Sequence, residues 1–335
     1  MNALNPDHVA IVVLLSAAVL AAALIALLRP LLQRYALARP NARSSHAIPT
    51  PQGAGIAVIA ATLGVAGIGA AVAGFAVPIA LFVATIFIAL VGFADDLNPI
   101  PVLPRLLLQA AAVGAIIVLA PADLRIVPAC PLPLERGLLL IAGLWFVNLV
   151  NFMDGLDLMT VAEVVPVAAA MSLLGWMGQL PTLPTLVAAA LCGAMIGFAP
   201  FNRPVAKVFL GDVGSLPIGL LLGWGLLQLA WHQHLIAALL LPLYYIADAT
   251  LTLFRRMARG ESFWEAHRTH FYQRATDNGF SVSRVTANVF VLNLALAALA
   301  IMSIGATTAV ACTLLLLGAM LVAVVLYRFA HKGAS

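Results

Sequence analysis

Apolar runs of about twenty residues recur along the whole chain with only short polar segments between them, and this repetition limits the fold more than any other feature. Hydrocarbon offers the backbone no hydrogen-bond partner, so a chain that crosses a bilayer must satisfy its own N–H and C=O groups in helices or in a closed barrel. Uninterrupted runs, rather than alternating residues, select helices. The expected fold is all-α: a polytopic transmembrane helix bundle of about eleven spans. These lie near 8–28, 53–73, 75–92, 106–121, 137–151, 161–179, 183–200, 213–231, 235–254, 284–303 and 306–327. With 63% hydrophobic and 9% charged residues and a mean hydropathy of +1.07, residues 1–335 read as one integral membrane domain.

The first run is followed rather than preceded by basic residues, Arg29, Arg34, Arg39 and Arg43, the reverse of a secretory leader. It is expected to be a retained helix with the N-terminus outside. Eleven alternating spans then place 15 of the 17 Lys and Arg residues on one face, with Arg125 and Arg136 opposite. That bias makes the richer face cytoplasmic and puts the C-terminus on it. A pI near 9.3 follows from basic residues meeting anionic headgroups, and nothing beyond charge suggests nucleic acid. Cys192 and Cys312 fall inside spans and Cys130 alone in an outer loop, so no structural disulfide is expected.

Polar residues gather where spans meet the cytoplasmic face. After the fifth span comes Asn148-Leu149-Val150-Asn151-Phe152-Met153-Asp154-Gly155-Leu156-Asp157. On a helical continuation Asn151, Asp154 and Asp157 are three apart and would project into one cavity, a layout suited to a cation or phosphate. The same stretch also reads as a capped helix end followed by a turn. Asp95 and Asp96 adjoin at the end of the third span, where two carboxylates repel unless a cation or a shared proton intervenes; Arg105 and Gln109 follow closely enough to return to the same cavity. After the seventh span, Asn202 and Lys207 precede Phe209-Leu210-Gly211-Asp212-Val213-Gly214-Ser215, a glycine-flanked acid at a helix start. The first cytoplasmic loop carries Arg43, Ser44, Ser45 and His46 ahead of Gly53 and Gly55, and the longest loop carries His267, Arg268 and His270. Cations of both loops suit phosphate oxygens better than His267 and His270 suit zinc, for want of further ligands nearby. Glu163 and Asp248 lie within spans, where an ionisable group has a function or a partner; Arg255 and Arg256 are candidate partners of Asp248.

These clusters, Asp95-Asp96, Asn148 to Asp157, Asn202 with Phe209 to Ser215, and Arg268-x-His270, match in order and position those of the polyprenyl-phosphate N-acetylhexosamine-1-phosphate transferases, which the chain closely resembles over spans two to ten. The resemblance implies an enzyme of the bacterial inner membrane that uses a UDP-sugar, undecaprenyl phosphate and Mg²⁺, with Mn²⁺ as a substitute, and whose site faces the cytoplasm. Membrane lipids are its surroundings, and association into homodimers is left open. It implies Asp95 and Asp96 as the acidic pair near the attacking phosphate and Asp212 as metal ligand, with Asp96 or Asp154 beside it. Asn151, Asp154, Gly155, Leu156, Asp157, Asn202 and Phe209 would line the uridine or pyrophosphate pocket. Arg43, Lys207, Arg268 and His270 would supply positive contacts, His270 acting with the acids in catalysis.

The chain departs from the family pattern in three places. Leu158 stands where a glycine usually follows the second Asp, the multi-histidine loop is reduced to His270-Phe271-Tyr272-Gln273, and Asn98-Pro99 follows the Asp pair where the peptidoglycan translocase has a lysine nearby. The last, with Ser44-Ser45-His46 and Ala266-His267-Arg268, favours an enzyme that starts an O-antigen-like glycan with an N-acetylhexosamine or a 6-deoxy relative such as FucNAc or QuiNAc. The alternatives are a translocase of the phospho-MurNAc-pentapeptide type and, as a non-enzyme, a secondary transporter. A transporter binds near the midplane and shows internal repeats, whereas these acids lie at one rim and no repeat is visible.

Overall fold

The computed structural model describes residues 6–38, 49–262 and 267–331. Helix α1 (Pro6–Tyr35) leads through a two-residue strand pair, β1 (Leu37–Ala38) and β2 (Thr50–Pro51), into α2 (Gly55–Val72), α3 (Ile79–Leu97), α4 (Val102–Val118) and α5 (Leu132–Met153). Then follow α6 (Met159–Trp176), α7 (Thr182–Phe198), a 3-10 turn, α8 (Asp212–Trp231), α9 (Leu235–Leu240), α10 (Leu243–Ala258), α11 (Phe271–Asp277), α12 (Val282–Met302) and α13 (Thr308–Ala330). The all-α bundle is as expected, apart from the antiparallel β1–β2 pair.

The span count differs from eleven. Among the described residues, nine helices are long and apolar enough to cross a membrane: α1, α2, α3, α5, α6, α7, α8, α12 and α13. Helix α4 is shorter, at 17 residues. The single span expected at 235–254 is two helices, α9 and α10, broken at Leu241-Pro242. Proline has no N–H to give the preceding turn and its ring crowds that turn's carbonyl, so an unbroken apolar run in the sequence does not make an unbroken helix.

Packing follows small residues. On α1, Val9, Val13, Ala17, Ala21 and Ile25 recur every fourth residue and are buried, while Ile11, Val12, Leu15 and Val19 stay exposed on the outer face. That buried stripe lies against α7, where Gly193 and Gly197 face the carbonyls of Leu14 and Ala18 so closely that a methyl group would collide. In lipid, association rests on such close backbone approach rather than on expulsion of water. Helices α7 and α8 are the most enclosed of the spans and α1 and α13 the least.

Two glycine contacts fix the element that carries Asp212. A Cβ on Gly92 of α3 would strike the carbonyl of Asp212, and one on Gly55 of α2 would strike the backbone of Gly214. The first turn of α8 is thus clamped between α2 and α3. Gly92→Ala is expected to push α8 from α3 and destabilise the protein by about 1–3 kcal/mol. The thermal midpoint of the detergent-solubilised protein, compared with that of Gly64→Ala, where a Cβ meets open space, checks this.

Candidate active site

Helix α8 begins abruptly. Gly211 takes φ +77°, a left-handed conformation that a side chain resists, and a Cβ there would also meet the Asp96 carboxylate at 2.6 Å. The first N–H groups of α8 have no partners within the helix. Asp96, from the end of α3, supplies them: its Oδ1 accepts from Asp212 N at 2.9 Å and its Oδ2 from Val213 N at 3.0 Å. Gln52, just after β2, adds its side-chain amide to the same carboxylate. The β2 segment is itself laced to the α8 entry, with Phe209 N donating to Pro51 O at 2.7 Å and Gly53 N, Ala54 N and Gly55 N donating back to Phe209 O and Leu210 O.

Asp95 turns the other way. It accepts from Ile100 N at 2.6 Å and pairs with Arg105 at 2.8 Å, its side chain only 7% exposed. Arg105 therefore returns to this cavity as the spacing led one to expect. The Asp95 carboxyl group also lies near that of Asp212. On the far side of Asp212, the Asn151 amide donates to Asp212 Oδ1 and to Ser215 Oγ, both at 2.8 Å. Behind it Asn148 donates to Gln109 Oε1 at 2.7 Å. Three elements thus converge on Asp212: α3, α5 and α8.

The stretch after α5 is not a helical continuation. Helix α5 stops at Met153, and Asp154 closes it at φ −83°, ψ 48°, so the three-residue spacing of Asp154 and Asp157 does not place them on one helical face. Asp154 instead accepts from the Thr160 hydroxyl at the start of α6. Asp157 accepts from Ala206 N at 3.0 Å, holding the loop before α8. Leu158 sits at φ +62°, which costs a non-glycine residue about 1–2 kcal/mol; this is the physical ground for glycine at that position in the family. Asn202 Oδ1 accepts from Leu158 N at 2.7 Å while its amide donates to Val208 O at 3.0 Å. Asn202 and Asp157 thereby act as struts of the pocket wall. Leu156 is buried, and Gly155 and Phe209 are half-buried beside them.

The fourth wall comes from α11. His270 is its N-cap, in a reciprocal arrangement with Gln273. Its ring stacks between His267, at 4.9 Å, and Tyr272, at 5.7 Å, with Phe152 at 6.4 Å. Tyr272 donates to Phe152 O at 3.0 Å and so ties α11 to the end of α5. Arg268 pairs with Asp277 at 3.0 Å and donates to Thr276 at 3.2 Å, which directs it along α11 rather than leaving it as an uncommitted phosphate clamp. Lys207 is exposed at the rim. Arg43 lies outside the described residues. Asp248 pairs with neither Arg255 nor Arg256; it accepts from the start of α11. Glu163 is held by Asn293 at 2.7 Å. Gln52, Thr160, Ser215 and Tyr272 were not singled out from the sequence, since an uncharged side chain in a loop or helix turn carries no signal until its partner is known.

The expected metal ligands each have partners within the protein. Asp212, Asp96 and Asp154 do not form a ready ligand cage; among the described residues no group of three or more His, Cys, Asp or Glu side chains is placed to hold a metal ion. Asp96 is taken up by the α8 backbone and Asp154 by Thr160. The facing carboxyls of Asp95 and Asp212 fit a cation better, because two like charges in contact require a shared proton or a cation between them. Mg²⁺ in phosphoryl-transfer sites takes one or two carboxylates and completes its shell with water and substrate phosphates, so a two-acid site is sufficient.

Burial drives the Asp154 carboxyl up to about 7, with the nearby Asp96 and Asp157 charges pushing the same way against the Thr160 hydrogen bond. Between the usual carboxylate value and about 7 the folded protein holds a proton that the unfolded chain releases, so stability falls as pH rises through that interval. Asp154→Asn, which mimics the protonated acid, is expected to match the parent's thermal midpoint below about pH 4 and to exceed it by a margin that grows up to about pH 7 and then levels off. Midpoints measured across that range in the absence of divalent cations check the sign.

Comparison with known proteins agrees with this geometry. The family model described as Glycosyl transferase family 4 matches residues 78–230, which run from the start of α3 to the end of α8 and hold Asp95, Asp96, Asn151, Asp154, Asp157, Asn202 and Asp212. The decaprenyl-phosphate N-acetylglucosaminephosphotransferase of Mycobacterium leprae is 26% identical over 293 residues, 76% of this chain and 73% of that protein. Its Mycobacterium tuberculosis counterpart is 30% identical over 120 residues, 31% of this chain and 30% of that protein. The phospho-N-acetylmuramoyl-pentapeptide-transferase of Symbiobacterium thermophilum is 31% identical over 203 residues, 54% of this chain and 61% of that protein. The chain spans less than two thirds of the length of these last two relatives. With the acids at the ends of α3 and α5 and at the head of α8 converging in one polar cavity, the stretch that carries them is the stretch that matches glycosyl transferase family 4, and the chain is similar to membrane phosphoglycosyl transferases.

Proposed function

We propose that the protein transfers an N-acetylhexosamine 1-phosphate from a UDP-sugar to a polyprenyl phosphate of C55 type, releasing UMP and starting an O-antigen-like lipid-linked glycan. One observation carries the acceptor. A small apolar pocket between α4, α5 and α8 is lined by Val113, Ile117, Gly143, Val147, Gly223 and Leu227 among others. Along α5, Gly143, Val147 and Asn151 succeed one another at four-residue spacing, and along α8 Gly223, Gly219 and Ser215 do the same. A lipid tail held in the pocket therefore has its head group at Asn151, Ser215 and Asp212.

An oxygen of the lipid phosphate attacks the sugar-bearing phosphorus, forming one P–O bond as the bond from that phosphorus to the bridging oxygen of UMP breaks. Asp95, Asp96 and Asp154 are each engaged by protein donors, which favours direct attack over a covalent sugar phosphate on one of them. Mg²⁺, held by Asp212 and Asp95, would neutralise charge on the pyrophosphate. Asn151 fixes the Asp212 carboxyl, Arg105 orients Asp95, and His270 with Lys207 offers donors at the rim. Positioning and electrostatics carry most of such a transfer.

The relatives named as N-acetylglucosaminephosphotransferases support a GlcNAc-type donor. Those named phospho-N-acetylmuramoyl-pentapeptide-transferases favour a second reading, in which the donor is a UDP-MurNAc-peptide. In nanodiscs, UMP release from UDP-GlcNAc is expected only when Mg²⁺ and undecaprenyl phosphate are both present, and Asp212→Asn is expected to reduce it at least about 100-fold with an unchanged thermal midpoint. Exclusive use of UDP-MurNAc-pentapeptide in the same assay would install the second reading.

A UDP-sugar cannot cross the bilayer, so the site belongs to the cytoplasmic face, with the N-terminus outside and the C-terminus inside. Counting α4 as one crossing and the broken pair α9 and α10 as another retains that alternation. Single cysteines at Asn98, Arg203 and Thr269, in a background lacking Cys130, Cys192 and Cys312, are expected to resist an impermeant maleimide in intact cells and to react after lysis. Labelling of any of them in intact cells removes the shared cytoplasmic site.

A further inference from the structure

Asp248 on α10 is 0% exposed and lies among apolar neighbours, a setting in which a carboxylate persists only with a full set of donors. It has four. Oδ1 accepts from Phe271 N at 2.9 Å and from the Thr252 hydroxyl at 3.3 Å; Oδ2 accepts from Tyr272 N at 3.0 Å and from the Tyr244 hydroxyl at 3.1 Å. Oδ1 also stands 3.4 Å from Nδ1 of His270, which is itself 4% exposed. The two hydroxyls come from α10, one turn to either side of Asp248, and lock its carboxylate in place. Both backbone donors belong to the first turn of α11, the helix that His270 opens.

We infer that Asp248 is a positioning residue for His270, holding the imidazole at the rim of the transfer site through the backbone that follows it. The inference rests on the transferase reading above. A seven-residue helix does not hold itself in place, and α11 is joined to the site by what Asp248 fixes. Tyr272, whose N–H the carboxylate receives, reaches Phe152 O, two residues from Asp154. Gly155 leaves room for that hydroxyl, which a Cβ would strike. The His270 ring stacks on Tyr272. A displaced carboxylate therefore moves the histidine relative to the acids without touching the pocket that Asp157, Asn202 and Phe209 build.

The test compares the full-length parent, Asp248→Asn, His270→Gln and the double variant in nanodiscs, by UMP release from UDP-GlcNAc with undecaprenyl phosphate and Mg²⁺. Asp248→Asn is expected to lower kcat at least about 10-fold while KM for the UDP-sugar stays within about twofold. The double variant is expected to be no slower than His270→Gln alone, because two residues acting through one group do not add. An undiminished kcat in Asp248→Asn, or losses that multiply in the double variant, would overturn the inference. Should Asp248→Asn fail to fold, Tyr244→Phe/Thr252→Val, which frees the carboxylate without removing it, is expected to lose kcat in the same way, and an unchanged kcat there also overturns it. A parent chain that releases no UMP from either donor would instead sink the transferase reading itself.

Discussion

Carboxylates that accept the first backbone N–H groups of a helix from another part of the bundle are the interaction on which this site depends. Asp96 does so for α8 and Asp248 for α11. In each case the charge lies against the positive end of the helix dipole and satisfies donors that the helix cannot satisfy itself. Water and side chains of the same segment do this work in most soluble helices. Here the segments before both helices offer no side-chain cap from a Ser, Thr, Asp or Asn, and the caps come from across the fold. Each helix that brings a reactive side chain to the cavity is thus set by an acid of a different element.

This arrangement gives neighbouring acids different tasks. Asp95 and Asp96 are adjacent in sequence, yet one is bound by Arg105 and faces Asp212 while the other is buried in backbone N–H groups. Successive residues of a helix point about 100° apart, so adjacency guarantees divergence rather than a joint site. Asp154 and Asp157 divide likewise: the helix ends before both, and one turns to Thr160 and the other to the loop before α8. Asp95 and Asp212, by contrast, are brought near each other over more than a hundred residues of chain.

The membrane shapes the rest. Close helix packing comes from glycine and alanine on α1, α2, α3, α7 and α8, and the same economy of side-chain bulk opens the pocket at Gly143, Gly219 and Gly223. Small residues let backbones meet where a bulkier side chain stands opposite nothing, and leave a cleft where the opposing residue is also small.

Much of this was legible before any coordinates. The length and purity of the apolar runs required a helical membrane bundle, since no other open structure satisfies a backbone in hydrocarbon, and polar clusters at the ends of those runs marked the rim as the reactive level. The motif pieces around Asp95, Asp154 and Asp212 named the residues. Three things lay beyond the sequence. The break at Pro242 was hidden in an apolar run because hydropathy does not register a missing N–H. The roles within the acid clusters depended on which donors came from distant segments: Asp96 caps α8, which its place in an acidic pair did not reveal. Asp248 read as a partner for a nearby arginine and instead anchors α11. Identity and level in the membrane were fixed by local chemistry and by the solvent. The division of labour among the acids was decided only by tertiary packing, because a carboxylate's role is set by the donors that reach it, and those donors come from other helices.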